Sequence, residues 1–186
     1  MELEEKVRIF DKELNFIVND EIRDCVIKVL DKVNDKFFTE PASSTGKYHP
    51  DYALGEGGLV RHTKAAVRIA NDLLHLGNSP FTPNEGDLII AALILLDTCK
   101  SGINWESKYT KHEQPLLAIE LIKTCFVEGA GFIEEMEHLI PTHMGQWNTC
   151  NWSDVELPKP EDAMQNFVHI CDYLASRKYL EFNFEV

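Results

Sequence analysis

The sequence predicts an all-α fold, and three observations predict it. Apolar residues recur at helical spacing, a helix-start signal precedes the most apolar segment, and no useful run alternates apolar with polar residues. Residues 21–37 put Ile22, Val26, Val29, Val33 and Phe37 on one stripe, and residues 59–76 do the same with Val60, Thr63, Val67, Ala70 and Leu74. Thr82-Pro83-Asn84-Glu85 reads as a capping box with proline at the first helical position. The segment it opens is apolar on every side through Leu96, as a centrally buried helix would be. A buried parallel strand is the competing reading of so apolar a run, and the cap and Ala91-Ala92 weigh against it. Further helices are expected at about 112–127 and 132–140. A last one is expected at about 161–179, with Met164, Phe167, Val168, Cys171 and Leu174 facing inward.

No internal repeat, low-complexity tract or linker-like shift in composition divides the 186 residues, so one domain over 1–186 is expected. A chain of this length buries roughly 70% of its unfolded surface, enough for a core without staples. With 44% hydrophobic and 26% charged residues it is neither disordered nor collagen-like. The opening MELEEKVRIFDKEL is charged, unlike a secretory leader. The longest apolar run, residues 88–96, falls short of the roughly 20 residues that span a bilayer. Cys25, Cys99, Cys125, Cys150 and Cys171 form no CxxC pair and are odd in number, the pattern of reduced thiols, so a cytoplasmic location is expected. The net charge of −13 arises from 31 acidic against 18 basic residues, with no strongly basic segment. A long nucleic acid or an anionic membrane is therefore a poor partner, since both reward a basic surface. A small phosphate-bearing ligand such as a nucleotide stays compatible, because bound metal inverts the charge inside a pocket.

Two long stretches escape the helical pattern. Residues 38–58 hold four of the ten glycines, and residues 141–160 carry two of the three tryptophans. Long irregular loops are uncommon in compact domains and often functional when ordered. Both stretches adjoin residues that could carry chemistry. His62 lies in the first turns of a helix opened by Gly57-Gly58, and Asp97 ends the most apolar helix, where a carboxylate is costly unless paired or bound to metal. His112 begins another helix, His143 follows a helix end, and Asp172 sits beside inward-facing Val168 and Cys171. Imidazoles with carboxylates make a mixed N/O set suited to Mn, Fe, Co or Zn, with Mg at the oxygen-rich end. A carboxylate can also bridge two such ions about 3.5–4 Å apart, the spacing used for displacement at phosphorus. His75 and His138 have no informative context and read as structural.

The ordered motifs GGLVRHT, ALILLDTCK, KHEQPLLAI, IPTHMGQW and HICDYLASR resemble those of the HD-domain metal-dependent phosphohydrolase superfamily, over about residues 43–180. The resemblance implies an HD-like helical bundle that hydrolyses a nucleotide or other small phosphate ester with one or two divalent ions. It implies that His62 is the first ligand, Asp97 the aspartate of the His-Asp dyad and Asp172 the closing ligand. His112 and His143 match the extra histidines of two-metal members, and Lys100 falls where the family places a lysine near the substrate phosphate. The dyad's histidine is replaced by Leu96, and Met144 stands where many two-metal members carry a second histidine. By that correspondence Asp97, His112 and His143 form a complete half-site, and His62, Asp97 and Asp172 a depleted one.

His49 or His169 could stand in for the lost ligand. Lys47 and His49, in a loop that leads into the His62 helix, are candidate phosphate contacts, Lys47 being otherwise a solvated charge. Arg177 could reach a phosphate or make a surface ion pair. Trp147 and Tyr173 could stack on a base or pack at a rim. A hydrolase is the leading expectation. An HD-like module disarmed by Leu96, binding a nucleotide or protein without turnover, is the second, and a di-iron oxygenase the third.

Overall fold

Thr82 opens the central helix as its sequence predicts. In the computed structural model its hydroxyl accepts a hydrogen bond from the Glu85 amide (3.3 Å), and the Glu85 carboxylate accepts one from the Thr82 amide (2.7 Å). Helix α6 (Pro83–Leu95) follows, and from Leu88 onward every residue is buried. A helix with no polar face must be covered on all sides. Helices α3 (Asp20–Lys32), α5 (Gly58–Leu74), α8 (Gly131–Leu139) and α9 (Ala163–Ala175) pack directly on it. Helix α7 (Gln114–Lys123) packs on α3 and α8, and the short helices α1 (Leu3–Ile9), α2 (Asp11–Leu14) and α4 (Lys36–Thr39) lie against α3 and α5. The structure describes residues 1–43, 46, 47 and 49–180. Ser44, Thr45 and Tyr48 of the loop singled out above lie outside them. Among the described residues there is no strand, one apolar core joins the helices, and no helix is long and apolar enough to cross a membrane. The five cysteines are free thiols.

The 21–37 stripe divides into two helices. Lys6 reaches from α1 and donates to the carbonyls of Val33 (2.6 Å) and Asp31 (3.1 Å), satisfying the end of α3 with an ammonium suited to a helix C-terminus. Val33 turns extended, and the Asn34 side chain accepts from the Lys36 amide (3.0 Å) to start α4. Asp87 on α6 docks the other end of α3, accepting from the amides of Val18 (3.1 Å) and Asn19 (2.7 Å).

The described residues next to α5 and after α8 are tied down. Arg61 on α5 donates to the carbonyls of Tyr52 (2.5 Å) and Leu54 (2.8 Å), and the Tyr52 hydroxyl donates to the Ala175 carbonyl at the end of α9 (2.6 Å). Gly57 takes a left-handed φ of 68°, and a Cβ on Gly58 would lie 2.2 Å from the Ala53 carbonyl oxygen. The stretch after α8 is built from two 3-10 turns, Ile140–Thr142 and Gly145–Trp147. Asn148 then closes it, donating its side-chain amide to the Leu157 carbonyl (3.2 Å) and accepting the Leu157 amide on its own carbonyl (2.9 Å).

Gly58→Ala is expected to lower stability in urea unfolding by about 1–3 kcal/mol, the usual magnitude of an overpacking clash against backbone. Gly77→Ala, whose Cβ would meet nothing within 4 Å, is the near-neutral control.

Candidate metal centre

Two helices and the turn that follows a third bring one acidic or imidazole side chain each to a common point. His62 comes from the first turns of α5, which runs against both α6 and α9. Asp97 lies in the turn that follows α6, closed by the Lys100 amide on its carbonyl (3.2 Å), and Asp172 lies near the end of α9. The His62 Nε2 stands 2.9 Å from Asp172 Oδ1 and 3.8 Å from Asp97 Oδ2. Ligand atoms of the three lie within 4.8 Å of one another. His62 and Asp97 are buried, and the Asp172 side chain is about one-fifth exposed (20%). The Lys100 ammonium sits 3.0 Å from Asp97 Oδ2. Behind this turn Trp105 adopts a left-handed φ of 55°, uncommon for a bulky residue, and its indole donates to the Thr98 carbonyl (3.4 Å).

Burial opposes ionisation of both carboxyls. In Asp97 the Lys100 ammonium, helped by His62 and His143, outweighs burial and repulsion by Asp172; in Asp172 the His62 hydrogen bond leads the opposing effects. Both therefore lie below the usual carboxylate range. Two ionised carboxylates and one imidazole suit one divalent ion bound through one nitrogen and two oxygens. These residues fit the metal that the sequence implies, with three protein ligands and open positions. The His62 Nδ1 is buried without a partner among the described residues, so the ring lacks the outer hydrogen bond usual for a metal-bound histidine. His49 lies edge-on to His62, ring centroids 5.3 Å apart. Desolvation, with repulsion from Lys100 and His62 and despite Asp97 and Asp172, pulls its pKa down to about 4.

The group opens into a cavity of about 410 Å³, within the range of small-molecule sites. Lys100, His49 and His143 are on its wall, as are Trp147, Tyr173 and Arg177. Trp147 and Tyr173 stack (5.6 Å between centroids, 22° between planes), and the Arg177 guanidinium lies over Tyr173 at 4.3 Å and Trp147 at 5.5 Å. Lys47 is exposed and is not part of the wall.

The structure divides the expected ligands differently from the motif correspondence. The half expected to be depleted, His62 with Asp97 and Asp172, is the one that converges. His112 is buried off the cavity wall with its Nε2 on the Asn148 carbonyl (3.0 Å). His143 has both nitrogens engaged, Nδ1 by the Ile140 carbonyl (2.7 Å) and Nε2 by the Gln114 amide (3.1 Å). His169 does not replace the missing ligand: its Nδ1 meets the His143 carbonyl (2.7 Å), its Nε2 meets Gln146 (3.1 Å), and its ring fills the space where a Gly145 side chain would be. Leu96 is packed in the apolar core. Sequence reasoning missed Gln114, buried on the cavity wall, whose one signal was a polar residue heading an apolar helix. No protein-family model, curated protein or solved structure matches the chain at a significant level.

An imidazole near pKa 6.5 in the unfolded chain and about 4 when folded binds a proton earlier in the unfolded state. His49 therefore removes stability as pH falls from 6.5 toward 4, and Asp97 and Asp172, with lowered pKa values, remove theirs at lower pH still. In urea unfolding of EDTA-treated protein, wild type should lose more stability between pH 7 and pH 5 than His49→Gln does.

Proposed function

We propose that this protein is a divalent-metal-dependent phosphohydrolase acting on a nucleotide or other small phosphate ester. The observation that carries the reading is the convergence of His62, Asp97 and Asp172 on one cavity wall with Lys100 and Arg177. A divalent ion held by these three residues would supply Lewis acidity toward a phosphoryl oxygen. Asp97 and Asp172, already ionised, need lose no proton to hold it. The Lys100 ammonium can turn from Asp97 to a phosphoryl oxygen, where it offsets charge that develops in the transition state. Arg177 offers a second cationic contact, and the stacked Trp147 and Tyr173 offer a flat apolar face. The net charge of −13 favours a small ester over a polymer. The motif resemblance supports the same chemistry.

Two observations favour a second reading, a module that binds its ligand without turnover. The Lys100 ammonium already neutralises the carboxylate that the ion needs, and Leu96, in the dyad's histidine position, is committed to the core. The two readings separate on metal and turnover.

Protein stripped with EDTA and titrated with Mn²⁺ is expected to bind one ion per chain, and Asp97→Asn or His62→Gln should weaken binding by roughly tenfold or more. Phosphate release from nucleoside monophosphates with Mn²⁺ or Co²⁺ should disappear in Asp97→Asn. Wild type that binds no Mn²⁺ and releases no phosphate would sink the hydrolase. An inert wild type that gains both on Leu96→His would establish the disarmed module instead.

A further inference from the structure

Gln114 begins α7, is 2% exposed and lies on the cavity wall, yet the chemistry proposed above does not use it. Its orientation can be read from its neighbours. The Ile140 carbonyl, which can only accept, lies 2.7 Å from His143 Nδ1 and so places the ring proton there. In a neutral imidazole that leaves Nε2 as an acceptor. With the imidazole neutral, the Gln114 side-chain nitrogen, 3.1 Å away, donates to it. Its oxygen Oε1 is left buried, with no partner among the described residues. Gln114 lines the cavity, and a buried amide oxygen without a partner is an acceptor that a ligand entering there can satisfy when the side chain turns toward it. It is neutral, so it does not attract a phosphate, and the cavity offers Lys100 and Arg177 for that purpose. The same cavity carries the stacked Trp147–Tyr173 pair, a face on which a base can lie.

The geometry points to Gln114 as a specificity-determining residue that accepts a hydrogen bond from an N–H or O–H of the bound nucleotide. His143 is then the positioning residue that keeps Oε1 available, and not a metal ligand. This inference rests on the reading of the ligand as a nucleotide. The donor can be the exocyclic amine of the base or a ribose hydroxyl, and both present the same chemistry to the oxygen. A site that hydrogen-bonds such a group rejects the analogue that lacks it, because the buried acceptor is then left unpaired.

The test is equilibrium binding, followed by Trp fluorescence or calorimetry, of AMP, purine riboside 5′-monophosphate, 2′-deoxy-AMP and 3′-deoxy-AMP. Wild type should bind AMP at least about tenfold more tightly than one of the three analogues, a single hydrogen bond's worth of discrimination. Loss with the purine riboside identifies the amine as the donor, and loss with a deoxy form identifies the sugar. Gln114→Met should reduce the preference to less than about twofold with Mn²⁺ affinity unchanged, and His143→Leu should likewise leave Mn²⁺ affinity unchanged. Gln114→Asn, which keeps the amide but shortens its reach, should also lose the preference and serves if the Met variant does not fold. The proposal is overturned if AMP does not bind, if no analogue is disfavoured, if the preference survives both substitutions, or if His143→Leu lowers Mn²⁺ affinity. Gln114-dependent binding without phosphate release would refute the hydrolase and leave this assignment standing.

Discussion

Helix α6 has no side it can give to water, and most of the architecture answers that constraint. Ile89, Ala91, Leu93 and Leu95 all need apolar neighbours although they point in different directions, so α3, α5, α8 and α9 must surround one rod. Burial of such side chains contributes on the order of 1.5–3 kcal/mol each before conformational entropy is set against it. The wrapping also fixes where the chemistry can be. A chain leaving the end of a buried helix emerges between the helices that enclose it, and Asp97 is the first acidic residue past that end. Its neighbours there, α5 and α9, bring His62 and Asp172.

Charge balance at that point follows from the same burial. Two carboxylates in contact would repel, and an apolar surround would push both toward the protonated form. Lys100 counters this for Asp97 and His62 for Asp172, so the pair stays ionised within the protein's own resources. The cation that balances Asp97 is therefore a movable side chain three residues away. A divalent ion held there would compete with Lys100 for one oxygen, which would make the lysine both a rival of the ion and a donor beside whatever the ion held.

The sequence was most legible where the determinants are local. The Thr82–Glu85 capping box, the all-round apolar character of α6 and the inward stripe of α9 depend on residues within a few turns of each other, and each is present. The break at Val33 was not legible, because the capping ammonium comes from Lys6, 27 residues earlier. The fate of the extra histidines was hidden for the same reason. Spacing can put His112 and His143 near the site, but whether their nitrogens are available depends on the Asn148 carbonyl, 36 residues from His112, and on Gln114, 29 residues from His143. Hydrogen-bond partners that distant leave no periodic trace. Local spacing therefore points to the neighbourhood of the site without showing which histidines keep a nitrogen available.

The Tyr52 loop holds more than its own shape. Arg61 anchors it to the helix that carries His62, and the Tyr52 hydroxyl anchors it to the last carbonyls of the helix that carries Asp172. Mechanically it is a tie between the helices that carry His62 and Asp172, added to the direct packing of α5 on α9. A tyrosine outside the three candidate ligands would therefore share in holding the distance between the two sides of any ion bound there.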